Sequence, residues 1–178
     1  IHAHKIGADG RVHEAGEQRN TGDAKDAFGL VLPRTHVGLE QLHRGADDVK
    51  AKSIGLNITL PHEQRPNPYI TPELCFQFRY FAMRKMHFLI RAKALVAFPG
   101  GFGTLDELFE TLTLLQTGKT ENVMVVLVGR EFWDRLINWQ WLVENGLIRQ
   151  DDLRLFHYAE TAQEAWDLIA RHNGVPSS

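Results

Sequence analysis

A chain of 178 residues, with 20 Lys and Arg against 22 Asp and Glu and a net charge of -2, is long enough to bury the core of one compact domain. Its basic residues are spread out and form no block, which argues against nucleic acid as a main partner. The single cysteine, Cys75, rules out an internal disulfide and a metal site built on thiolates, and no apolar run is long enough to span a bilayer.

The first residues, Ile1-His2-Ala3-His4-Lys5, carry no initiator Met and no signal peptide, so the chain is expected to begin inside a longer protein or to lack upstream residues. Residues 1–36 are polar and weakly periodic and predict loop or irregular structure, apart from a short strand over Phe28–Leu32. His2, His4 and His13 read as solvated side chains rather than metal ligands. A helix is predicted from Leu39 to Ala51, a strand from Ser53 to Leu60, and an extended loop around Pro61, Pro66 and Pro68.

Thr71-Pro72-Glu73 has the composition of a helix start, and the pattern predicts one helix from Pro72 to about Ala92. That segment is apolar nearly all round, which implies cover by a sheet on one side and by a partner subunit on the other. A polar stripe remains at Gln77, Tyr80, Arg84, His87 and Arg91. Cys75, inside this run, reads as a small buried hydrophobe in a reducing compartment, which places the chain in the cytoplasm.

A strand over Ala94–Phe98 leads into Pro99-Gly100-Gly101-Phe102-Gly103-Thr104-Leu105-Asp106-Glu107 and a helix to about Thr117. Asn122 to Val128 is a buried strand, Glu131 to about Glu144 a helix, and Leu153 to Tyr158 a last short strand. Thr161-Ala162-Gln163-Glu164 is a capping box that opens the final helix, ending near Gly174. Strands alternating with helices give an α/β class with a mainly parallel sheet and helices on both faces, over residues 1–178 as one domain.

The strand, glycine turn and helix start build an anion site from backbone N–H groups. Three glycines let the backbone pass close to a ligand and take positive φ where needed. The P-loop requires a Lys and a hydroxyl residue after its last glycine, where Thr104-Leu105 stand; the dinucleotide fingerprint requires Gly at Asp106. ATPase and NAD-dehydrogenase readings therefore fail on spacing. Glu107 has two readings: it closes a capping box with Thr104, or it sets a carboxylate beside the anion site. Asp106 reads as a first-turn acid complementing the helix dipole. Arg84 is either a solvated position on the polar stripe or a ligand-facing one, and Lys85 beside it reads as a surface charge.

Met83-Arg84-Lys85 together with Pro99 to Glu107 resembles the Lonely Guy family, whose two motifs are an Arg-Lys pair on a helix and PGGxGTxxE. Gly55-Leu56-Asn57-Ile58 and Leu60-Pro61-His62-Glu63-Gln64 are similar to its larger bacterial branch, and the likeness covers about Glu40 to Ile169. The resemblance implies a Rossmann-like fold and a dimer or higher homo-oligomer. The implied activity is hydrolysis of the N-glycosidic bond of a nucleoside 5′-monophosphate, AMP or a cytokinin riboside monophosphate, to free base and ribose 5-phosphate. It implies Glu107 and Arg84 as the catalytic pair, phosphate on Gly100, Gly101, Gly103 and Thr104, and Lys85 and Glu40 in the substrate-binding set. No metal or other cofactor is implied. The family's older decarboxylase label would ask for pyridoxal phosphate on a reactive lysine, and Lys85, Lys93 and Lys119 stand in no supporting context. The chain departs from the family pattern at Gly38-Leu39-Glu40-Gln41, where the glycines expected before the glutamate are missing. That departure keeps a second reading open, a module that senses a nucleotide without turning it over.

Overall fold

The computed structural model describes residues 2–5, 28–32, 44, 47–48, 52–58, 68–121 and 123–174. Within them one sheet is formed by β1 (His2–Lys5), β2 (Phe28–Leu32), β3 (Ser53–Ile58), β4 (Cys75–Phe78), β5 (Ala92–Ala97), β6 (Met124–Val128) and β7 (Phe156–Ala159). Their spatial order is β4-β3-β1-β2-β5-β6-β7. β1 runs antiparallel to both neighbours, β2 and β3, and every other pairing is parallel. Six strands therefore end at one edge, where ligands sit in sheets of this kind.

The helices are α1 (Phe81–Leu89), α2 (Phe102–Gln116), α3 (Arg130–Leu136), α4 (Trp139–Glu144) and α5 (Ala162–His172). Alternate residues of β5 and β6 face opposite layers. Leu95, Ala97, Val125 and Leu127 pack with Phe88 of α1, Leu108 of α2 and Trp133 of α3. Ala94, Val96, Val126 and Val128 pack with Ala165, Trp166, Ile169 and Ala170 of α5. Strands covered on both faces read as continuous apolar runs, which is why these two were legible. The result is the expected Rossmann-like α/β architecture, mainly parallel, with helices on both faces.

Three expectations are corrected. His2 to Lys5 are not irregular: they form β1 in the middle of the sheet, with His2 opposite Val31 and Gly55. Pro72 to Ala92 is not one helix. Pro72–Leu74 is a 3₁₀ turn, Cys75–Phe78 is β4 paired in parallel with β3, and only Phe81–Leu89 is α-helical. Cys75 thus lies on a strand and is half-buried. Glu131 to Glu144 is two helices, because Asn138 accepts a hydrogen bond from the Trp141 N–H at 3.0 Å and starts a new one. Arg44, Asp47 and Asp48 are helical within the predicted 39–51 helix. The rest of that helix, the residues at Pro61 and Pro66, and His13 lie outside the described residues. At the last helix, Thr161 accepts from the Glu164 N–H at 3.1 Å, as the capping pattern predicts.

Candidate active site

β5 ends at Ala97 and delivers the chain into the glycine turn; α2 begins at Phe102 with Gly101 as its N-cap. No side chain caps this end, so its first N–H groups are left for solvent or a ligand. The turn does not use its glycines for positive φ: among the described residues the glycines with positive φ are Gly118, Gly129, Gly146 and Gly174. Gly100 is small for another reason, since a Cβ there would collide with the Thr104 side chain. Around Gly101 and Gly103 a Cβ would meet nothing within 4 Å, so bare backbone faces open space.

Thr104 sits inside α2 rather than at its cap, and Glu107 does not fold back on the helix start. The capping reading of Glu107 is therefore set aside. Instead Glu107 Oε1 accepts a hydrogen bond from Arg84 Nη2 at 3.0 Å, across from α1. Both side chains are buried, Arg84 at 8% and Glu107 at 4% exposure, which also sets aside the solvated reading of Arg84. The Arg84 guanidinium lies 5.4 Å and 5.5 Å from the ring centres of Phe81 and Phe88, so aromatic faces shelter the charge. The pair is only half used: Glu107 Oε2 and Arg84 Nε are buried without a hydrogen-bond partner among the described residues. Spare buried polar atoms of this kind call for a partner that the described residues do not supply.

Burial pushes the Glu107 carboxyl up to about 7 from an ordinary 4.5, with the Arg84 guanidinium pulling the other way. Between those two values the folded state holds more protons at Glu107 than the unfolded state does. Its contribution to stability is therefore complete below about 4.5 and is lost as pH rises through about 7. Asp152, held low by the Arg149 backbone N–H, acts in the opposite sense at more acid pH. The stability difference between Glu107→Gln and the native chain is thus expected to move in favour of Glu107→Gln as pH rises from 4.5 to 7; paired urea titrations across that window check it.

Lys85 is paired with carboxylates of α2. Its Nζ lies 3.0 Å from both Asp106 carboxylate oxygens and 3.0 Å from Glu110 Oε2. Asp106 is the fifth residue of α2, not a first-turn acid, and Glu110 was not singled out by the sequence; its i+4 spacing from Asp106 was the available signal. Glu40 lies outside the described residues. A cavity of about 350 Å3 beside Trp139, Phe156 and Tyr158 involves none of these side chains. Tyr158 there donates to Asp134 at 2.6 Å and Asn138 caps α4, while Trp139 Nε1 is buried without a hydrogen-bond partner among the described residues. Among the described residues no three His, Cys, Asp or Glu cluster as metal ligands, and no helix is long and apolar enough to cross a membrane.

Comparison with known proteins bears on this arrangement. The chain is 35% identical over 82 residues to the cytokinin riboside 5′-monophosphate phosphoribohydrolase LOG of Oryza sativa subsp. japonica, covering 46% of this chain and 34% of that one. It is 32% identical over 90 residues to a probable enzyme of the same description, LOGL3, from the same plant, covering 50% and 43%. To LOG1 of Arabidopsis thaliana it is 30% identical over 99 residues, covering 53% and 46%. The chain thus spans less than half the length of these relatives. The family model described as "possible lysine decarboxylase" matches residues 39–169. That span takes in both helices of the Arg84–Glu107 pair, the glycine turn and the strands that carry them, and the chain belongs to this family, the Lonely Guy family.

Proposed function

We propose that the chain hydrolyses the N-glycosidic bond of a nucleoside 5′-monophosphate, giving free base and ribose 5-phosphate, with AMP or a cytokinin riboside monophosphate as substrate. The observation that carries this reading is the buried Glu107 carboxylate with one unclaimed oxygen, behind an uncapped glycine turn. Glu107 is five residues into α2 from Phe102, about 7.5 Å along the helix axis. A ribose would bridge that distance between a phosphate on the turn and the carboxylate.

Phosphate on the N–H groups of Gly101, Gly103 and Thr104 anchors the substrate and turns remote binding into positioning. Gly100 lets Thr104 pack against the turn. Cleavage builds positive charge on the sugar, and a carboxylate facing the anomeric carbon stabilises it and orients the attacking water. A charge pair at about 4 Å and an effective dielectric near 20 is worth about 4 kcal/mol, roughly three decades of rate. Arg84 holds Oε1 and leaves Oε2 for this task; its spare Nε can donate to substrate. A Glu107 carboxyl near 7 can hold or release a proton at neutral pH, as a group activating water must. The family's decarboxylase description finds less support: Lys85 is tied to two carboxylates, and Lys93 and Lys119 are exposed.

Incubation with AMP and with cytokinin riboside monophosphates, followed by chromatography of the free base, tests the proposal. Release of base with matching ribose 5-phosphate is expected; tight binding without release supports the sensing reading instead. Met83 and Met86 on the outer side of α1, and Ile90 at its end, are exposed, Ile90 at 67%, and support a homodimer or larger assembly through that face. Light scattering is expected to give at least twice the chain mass for the native protein and a shift toward monomer for Met86→Glu/Ile90→Asp. A half-buried free thiol at Cys75 supports a reducing, cytoplasmic setting.

A further inference from the structure

Arg84 and Lys85 are neighbours on α1, and Asp106 and Glu107 are neighbours on α2. Two ion pairs therefore lie side by side between the same two helices. The inner pair, Arg84–Glu107, is buried. The outer one joins Lys85 to Asp106 and Glu110; the Lys85 side chain is 16% exposed, while Asp106 and Glu110 are 55% and 37% exposed. Three carboxylate oxygens lie 3.0 Å from the ammonium: the two of Asp106 accept hydrogen bonds from it, and Glu110 Oε2 faces it as an ion pair. The cluster sums to one negative charge, a field that repels a phosphate. Asp106 and Glu110 are four residues apart on one helix face and repel each other once the ammonium is gone.

We propose that Lys85 is a positioning residue that ties α2 to α1, sets the Glu107 carboxylate against Arg84, and does not bind phosphate. The inference rests on the reading of Glu107 as the reacting carboxylate. Arg84 grips that carboxylate by one hydrogen bond, so the spacing of the two helices decides where Oε2 points. Lys85 is the second strut across the same gap. It also pulls the Glu107 proton affinity down while Asp106 pushes it up, so the outer cluster adjusts both place and charge.

The test uses Lys85→Gln, Lys85→Arg and Asp106→Asn/Glu110→Gln in the full chain. Lys85→Gln is expected to lower kcat on AMP about 10- to 100-fold, with KM and the inhibition constant of ribose 5-phosphate within about threefold of native. Asp106→Asn/Glu110→Gln lowers kcat in the same direction although Lys85 is intact, and Lys85→Arg recovers most of the rate. A rise of about tenfold in KM and in the ribose 5-phosphate constant at unchanged kcat overturns the proposal, as does full kcat in Asp106→Asn/Glu110→Gln.

Two readouts need no turnover. Inorganic phosphate, followed by calorimetry, is expected to bind Lys85→Gln as it binds the native chain; a loss of about tenfold makes Lys85 a phosphate ligand. The Glu107 carboxyl, followed by carbon NMR, is expected to titrate higher in Lys85→Gln, and an unmoved titration overturns the coupling. Its charged neighbours on these two helices are Arg84 and Lys85 on α1 and Asp106 and Glu110 on α2. Should the native chain release no base from any monophosphate, the functional reading fails, while these two measurements still decide the role of Lys85.

Discussion

Replacing Glu107 by Gln is expected to cut base release about a thousandfold while leaving the fold intact. The figure follows from the roughly 4 kcal/mol that a carboxylate about 4 Å from a sugar cation supplies, which the neutral amide lacks. Gln is nearly isosteric and still offers an oxygen to Arg84 Nη2, so the contact between α1 and α2 survives. KM should change little, because the phosphate is anchored on the turn and not on Glu107. The native enzyme needs the ionised carboxylate, so its rate should fall about tenfold per pH unit below about 7, where burial holds the Glu107 proton; Glu107→Gln should lack that limb. Initial rates, KM and urea midpoints for both proteins across pH 5–9 form the check. A fully active and normally folded Glu107→Gln would return this residue to a structural role.

Arg84→Met is expected to be the most damaging change to stability near the site. Met keeps much of the volume against Phe81 and Phe88 but removes the ion-pair partner that holds Glu107 Oε1 at 3.0 Å. Breaking a buried pair from one side typically costs about 3–5 kcal/mol because the other charge is left uncompensated. The sign with pH is fixed by the same logic. Arg84 holds the Glu107 carboxyl down, so its removal lifts the titration further above about 7. The penalty should be large at pH 8–9, where the lone carboxylate must ionise, and smaller near pH 6, where it is protonated. Arg84→Met/Glu107→Gln should recover much of the stability and none of the activity. If denaturant unfolding finds equal losses at both pH values, or no rescue in the double variant, burial of the ion pair is not what matters at these positions.

The run from β5 through the glycine turn to α2, β6 and α5 was readable because each element carries its own signal. β5 and β6 are apolar on both faces, α2 follows an obvious turn, and Thr161 caps α5. What failed was decided elsewhere in the molecule. His2-Ala3-His4-Lys5 has no apolar alternation; its place as β1 comes from pairing with β2 and β3. Cys75 to Phe78 is an outer strand with one side covered, and its short apolar pattern reads equally well as the first turn of a helix. The break at Asn138 was in principle visible as a cap residue, but the apolar positions on either side fit one long helix. For the site itself, Arg84 and Glu107 were picked out, yet nothing local says that residues 23 apart meet. Thr104 to Glu107 satisfies the spacing of a capping box equally well, and only the start of α2 at Phe102 removes that option. The contacts of Lys85 with Asp106 and Glu110 were not legible, because a cation beside an anion site looks the same in a sequence whether it points at a ligand or at two carboxylates.

The glycine turn also divides mutational tolerance into two kinds. Position 100 and position 104 compete for one volume, so a lineage can gain a side chain at the first only by shrinking the second in the same step. Positions 101 and 103 carry no such steric debt to the rest of the chain, and variants there should express and fold yet drop out of a screen for turnover. A saturation library sorted separately for abundance and for chemistry would therefore draw the outline of the bound molecule from substitutions the protein alone would have accepted.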